Sequence, residues 1–266
     1  MNTFAPDFLN ALCVKVARQL NKLPYELGEA EKTNQSEPYL IFPATADGNI
    51  RVSEQEARFL LTQQLEQCGI HYAVETPTLL RYQFSGTQSE RSGSTDVTLF
   101  EASPDNSKFI RKTLIELKAH NVHQRNVEKD FEKLLQEKEP GLFFHILQAA
   151  NSGTLTADSS EKGVLVKYRN AFKTILDKLP LKKDQTWFLH LVLFCMSPCF
   201  LISKTIRSED LSQLAGFFDF QYKISNGAMV VTKRNGWNVL DFQDNRSNTC
   251  SCPLGNDEIC GKTPAN

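Results

Sequence analysis

Apolar residues return at helical spacing early in the chain: Leu9, Leu12, Val16 and Leu20 share one face between Phe8 and Leu23, with Asp7 placed as a cap. A polar stretch from Gly28 to Pro38 reads as a loop. A second helix starts near Val52. Ser53 and Glu56 form a Ser-x-x-Glu capping box, Leu60, Leu61, Leu65 and Cys68 make the apolar stripe, and Gly69 stops it. The pattern then turns extended. Ile70 to Val74, Leu79 to Phe84, Thr95 to Phe100 and Thr113 to Lys118 predict four strands, the last following the turn residues Ser103-Pro104-Asp105-Asn106. Asn126 to Lys138 reverts to helical spacing with Val127, Phe131, Leu134 and Leu135 inward. Pro140-Gly141 ends it, and Leu142 to Leu147 is apolar enough for a central strand.

Residues 53–147 thus read as helix, four strands, helix, strand: an α/β unit with a mixed sheet. Farther on, Val164 to Leu179 predicts a helix, Phe188 to Phe194 and Cys199 to Ile206 strands, and Glu209 to Phe217 a short helix. Phe218 to Ile224 and Met229 to Lys233 flank the turn Ser225-Asn226-Gly227 as a hairpin. The expected organisation is an N-terminal helix and linker (1–49), a core (50–150), an α+β extension packed on it (151–245) and a polar tail (246–266). Trp187 to Ile206 is the most apolar run, but His190, Ser197 and Pro198 interrupt it. A membrane helix needs roughly 20 apolar residues, so two consecutive strands explain it better.

Composition narrows the class without naming it. At 266 residues, 41% hydrophobic and 23% charged, the chain can bury a sizeable core. A net charge of -1, from 30 basic and 31 acidic residues, argues against a protein that coats nucleic acid along its whole surface; a local basic patch stays compatible. Met1 to Leu9 lacks a secretory pattern and the seven cysteines are odd in number, so reduced thiols in a cytoplasmic setting are expected. Cys195 and Cys199 lie in apolar surroundings and read as core. Cys250, Cys252 and Cys260 lack the spacing of a structural zinc site, and no zinc is assigned to them.

The chemistry concentrates in Ser94-Thr95-Asp96-Val97-Thr98-Leu99-Phe100 and Thr113-Leu114-Ile115-Glu116-Leu117-Lys118-Ala119. Alternation on a strand sends Glu116 and Lys118 to one face and Ile115 and Leu117 to the other. Charges inside an apolar strand are costly unless they are paired or hold an ion. Asp96 opens an apolar strand able to pair with this one, which would gather two carboxylates and an ammonium group at one point. Hard carboxylate oxygens suit Mg²⁺ or Mn²⁺, and a nearby lysine can orient or help deprotonate an attacking water and stabilise developing negative charge. Past the strand come His120, which would share the face of Lys118 if the strand continued, and Arg125 and Lys129, which recur with Lys133 every four residues and could touch phosphates. For Lys133 the favoured reading is a solvated helix face paired with Glu128 and Glu132.

Asp96, a spacer and Glu116-Leu117-Lys118 after an apolar run resemble the signature of PD-(D/E)XK, or restriction-endonuclease-like, nucleases, across residues 53–147. Thr95 stands where the family's name has proline. The resemblance implies a mixed sheet flanked by helices, Asp96 and Glu116 as ligands of Mg²⁺ (or Mn²⁺), Lys118 as the catalytic lysine, and an acid on the preceding helix. Glu56 is the first choice for that acid, although a capping box alone explains it, and Glu54 is its rival. The expected activity is hydrolysis of phosphodiester bonds in nucleic acid, DNA before RNA, in genome defence or repair, with His120, Arg125 and Lys129 on the substrate side. Double-strand cutting from one such site favours a homodimer, and the extension could bind a partner protein. Two other readings stay open: a non-catalytic scaffold that keeps the fold, and an RNA-directed nuclease.

Overall fold

The computed structural model describes residues 4–28, 40–83, 88–120, 122–137, 139–151, 153–156, 162–178, 188–226 and 228–242. The expected loop at 28–38 and the cysteines of the tail therefore lie almost wholly outside the described residues. Helices α1 (Pro6–Leu20) and α2 (Glu54–Gln67) precede strands β1 (His71–Tyr82), β2 (Arg91–Ala102) and β3 (Phe109–Ala119). Helix α3 (Gln124–Gln136), β4 (Gly141–Ala149), α4 (Val164–Lys178), β5 (Phe188–Ser197) and β6 (Phe200–Arg207) follow. A 3-10 turn (Ser208–Gln213), the one-turn α5 (Leu214–Phe217), β7 (Gln221–Ser225), β8 (Ala228–Lys233) and β9 (Asn238–Asp241) complete the order.

Seven strands form one open mixed sheet in the order β1-β2-β3-β4-β5-β6-β9, and β7-β8 make a small second sheet. β3, β4 and β5 run parallel at the centre, with antiparallel pairs on both flanks. Alternation along the central strands splits the core in two. Leu114, Phe143 and Leu191 pack with Phe131 of α3 and Phe172 of α4; Ile115, Leu117, Phe144 and Val192 pack with Leu12 of α1 and Leu61 of α2. Both faces of the parallel strands are covered by helices, which is why β4 and β5 are apolar almost throughout. Glu116 and Lys118 are on the α3 face of β3.

Two features depart from the pattern read along the sequence. The predicted strands at Ile70–Val74 and Leu79–Phe84 are one strand, so the unit has three strands before α3 and not four. Pro77 lies inside β1, opposite Ser94, with a register shift before Arg81. A proline removes a backbone donor, which an edge strand tolerates, and β1 is the sheet edge. The residues set apart as an extension also continue the same sheet. β5 and β6 extend it past β4, and β9, a strand not foreseen, pairs with β6 at the far edge. Among the described residues, no helix is long and apolar enough to cross a membrane.

Candidate active site

β2 and β3 are paired from the Ala102 end only as far as Val97–Ile115. β2 then continues with β1 alone as a two-stranded arm, through the pairs Thr95–Thr76 to Arg91–Tyr82. Where the two strands part, the Asp96 carboxylate takes over from the ladder: its Oδ2 accepts the Leu117 N–H at 2.7 Å. Extending the register by one residue sets Asp96 beside Glu116. The signature residues from the two strands are thus brought to one place.

Helix α3 supplies two groups that complete this place. Glu116, 1% exposed, is ion-paired with Lys133, which is 3% exposed. Lys133 Nζ also lies 3.1 Å from Asp130 Oδ1 and donates to the Ser94 carbonyl at 2.7 Å. Lys118 Nζ is 3.0 Å from Asp130 Oδ2, 4.0 Å from Glu54 Oε2, and donates to its own neighbour, the Leu117 carbonyl, at 3.1 Å. Asp130 Oδ2 is buried and accepts no aligned hydrogen bond. Glu54, Asp96, Glu116 and Asp130 therefore surround Lys118 and Lys133, four carboxylates to two ammonium groups.

Burial and crowding set the charge states. Burial pushes the Glu116 carboxyl well up, the nearby Asp130 and Asp96 charges push it further, and Lys133 and Lys118 pull against them. Burial would lower the Lys118 ammonium, but Asp130, Glu116, Asp96 and Glu54 outweigh it and raise it. These four carboxylates favour the protonated form of Lys118. Lys133 is raised in the same way, with Glu116 and Asp130 outweighing burial.

No family model, curated protein or solved structure matches this chain. The site has to be read from its own geometry.

Several readings made on the sequence change here. Glu56 is not in the cluster: its Oε2 accepts from Ser53 N at 2.8 Å and from Ser53 Oγ at 2.6 Å, a closed capping box at the start of α2. The helical acid near Lys118 is Glu54, whose carboxyl is raised by burial first, with Lys118 lowering it and Asp96 and Asp130 raising it. Glu56→Ala is expected to cost about 1 kcal/mol of stability and leave any cleavage rate unchanged. Glu54→Gln is expected to lower that rate and spare stability, and paired rate and unfolding measurements separate the two. Lys133 is buried and not on a solvated face. His120 does not share the face of Lys118, because β3 ends at Ala119 and His120 takes a left-handed φ of 64°. The turn is held by buried His145, whose Nε2 is hydrogen-bonded to the His120 carbonyl and whose Nδ1 lies 2.6 Å from the Tyr168 hydroxyl. Burial lowers the His145 pKa to about 4, so the ring is neutral near pH 7. Arg125 and Lys129 are exposed on α3 and line a cleft beside the cluster. Asp130 and Lys133 were missed as site residues; their spacing of three on a helix facing Glu116 and Lys118 was the available signal.

The donor set has the right chemistry for a hard divalent cation: buried carboxylate oxygens and an excess of negative charge over the two ammonium groups. As the side chains stand, no three Asp, Glu, His or Cys groups among the described residues are arranged to hold a metal ion. The reason is local: Lys133 engages Glu116, and both lysines face Asp130. A cation bound by Asp96 and Glu116 would share the Glu116 carboxylate with the Lys133 ammonium on Oε1, or displace it.

Proposed function

We propose that this chain is a divalent-cation-dependent nuclease of the PD-(D/E)XK, restriction-endonuclease-like type, hydrolysing phosphodiester bonds of nucleic acid, DNA in preference to RNA. The observation that carries the reading is the cluster itself. Asp96 on β2 and Glu116 and Lys118 on β3 meet where the two strands separate, with Glu54 arriving from the preceding helix. A helix before the motif strands and a helix and a further strand after them, in a mixed sheet flanked by helices, add support, since the resemblance implies such a scaffold. On this reading Asp96 and Glu116 hold Mg²⁺ or Mn²⁺. When bound, such an ion polarises a phosphoryl oxygen and acidifies a water. Lys118, fixed as a cation by its four carboxylate neighbours, stabilises negative charge developing on the phosphate. Because the Glu116 pKa is raised, protons compete with the cation for its oxygens, so cation affinity and cleavage are expected to rise with pH as Glu116 ionises.

The rival reading, a non-catalytic scaffold, has two observations on its side: Lys133 is ion-paired with Glu116, and no three candidate ligands among the described residues are arranged to hold a metal ion. One assay decides. The purified chain is incubated with plasmid DNA, linear DNA and RNA in Mg²⁺, Mn²⁺ or EDTA. The nuclease reading expects cutting with either cation, none in EDTA, and loss of cutting in Lys118→Ala. Cutting that survives EDTA overturns the mechanism, and no cutting under any condition favours the scaffold.

A further inference from the structure

Beside the cluster lies a cleft of about 640 Å³, walled by the β1-β2 arm on one side and by α3 and α4 on the other. The arm is held to the end of α3 by buried Glu137, whose carboxylate accepts from Leu79 N at 3.2 Å, Leu80 N at 3.0 Å and the Tyr82 hydroxyl at 2.7 Å. Its walls are therefore fixed relative to each other. Four basic side chains line it, from three elements: Arg91 on the arm, Arg125 and Lys129 on α3, and Lys178 on α4. Two acids also line it. Glu128 accepts from Gln124 at 2.6 Å, and Glu132 accepts from Gln136 at 3.1 Å and interacts electrostatically with Lys178, so four cations stand against two acids. A chain with a net charge of -1 thus concentrates an excess of cations in one groove.

The groove also abuts the cluster at Ser94. Ser94 lines it, and the Ser94 carbonyl takes a hydrogen bond from Lys133, the same ammonium that pairs with Glu116. One side chain separates the cleft from the cluster.

We propose that this cleft is the track for the sugar-phosphate backbone of the substrate, with Arg91 on the arm and Lys178 on α4 as phosphate contacts beside Arg125 and Lys129 of α3. The inference rests on the nuclease reading and adds the path by which a strand reaches Asp96, Glu116 and Lys118. Cations from three elements that converge on one groove suit a chain of phosphates, since each neutralises one phosphate and releases a counterion.

The test measures binding apart from cutting. The full chain is titrated in EDTA with labelled oligodeoxynucleotides, single- and double-stranded, over a range of salt concentrations. Arg91→Ala/Lys178→Ala is expected to weaken binding about tenfold at low salt and to reduce the slope of log affinity against log salt by about two, one for each lost phosphate contact. Lys22→Ala/Lys223→Ala, exposed residues away from the cleft, is expected to change neither. If wild type binds and the cleft variant binds equally with the same salt slope, the track is elsewhere and the nuclease reading stands. If wild type neither binds nor cuts any nucleic acid, the nuclease reading fails and takes the track with it.

Discussion

Asp96→Asn is expected to abolish cation-dependent cleavage, by at least ~10²-fold in kcat/KM, the scale of losing one charge-handling group from an active site, while leaving the fold intact. The substitution is nearly isosteric. An asparagine carbonyl can still accept the Leu117 N–H that Asp96 Oδ2 takes at 2.7 Å, so the junction between β2 and β3 keeps its bond. What disappears is the charge. The cluster's excess of carboxylates over ammonium groups falls by one, which removes the proposed hard ligand but relieves repulsion on Glu116 and Glu54, both of which Asp96 pushes toward the neutral form. The midpoint of thermal unfolding in EDTA should therefore stay within about 3 °C of wild type or rise. Rates on plasmid DNA in Mg²⁺, measured beside that midpoint, decide the matter. An Asp96→Asn protein that cuts at the wild-type rate would remove Asp96 from the mechanism and leave the resemblance without its first residue.

The sequence made the strand part of this site legible because strand alternation is short-range. Once Thr113 to Lys118 is extended, the faces of Glu116 and Lys118 follow, and Leu114 and Ile115 do pack into opposite core layers. Helix α2 was legible for a similar reason: its capping box is closed as the Ser53–Glu56 spacing implies. The same local clarity misdirected the choice of acid. Glu56 is held by the cap, whereas Glu54 reaches Lys118 through the packing of α2 on β3, which no local pattern encodes. Lys133 failed in the opposite direction. A lysine flanked by glutamates on a helix resembles a solvated surface, and only the distant β3 carboxylate makes burial tolerable. The count of strands before α3 went wrong at Pro77, because a proline reads as a break unless the strand is known to lie at an edge. β9 is four residues long and was invisible without β6 beside it.

Lys133→Met carries the second large effect. Methionine keeps the unbranched apolar stem and drops the ammonium that pairs with Glu116, approaches Asp130 at 3.1 Å and donates to Ser94 at 2.7 Å. In EDTA this leaves a buried carboxylate without its counter-ion, a loss of about 3 kcal/mol, or roughly 10 °C in the unfolding midpoint for a chain of this size. If a divalent ion bound by Asp96 and Glu116 takes the Oε1 that Lys133 now holds, wild type must first give up the Glu116–Lys133 pair and the variant need not. Millimolar Mn²⁺ should therefore raise the midpoint of Lys133→Met by more than it raises that of wild type, recovering much of the loss. The pH dependence has a definite sign. Lys133 lowers the Glu116 pKa, so its removal raises that pKa further, and the Mn²⁺-induced shift should set in at higher pH in the variant than in wild type. Equal Mn²⁺ shifts in the two proteins would mean that the ion and the lysine do not compete for Glu116. No Mn²⁺ shift in either protein would mean that the carboxylate belongs to a structural ion pair and not to a metal site.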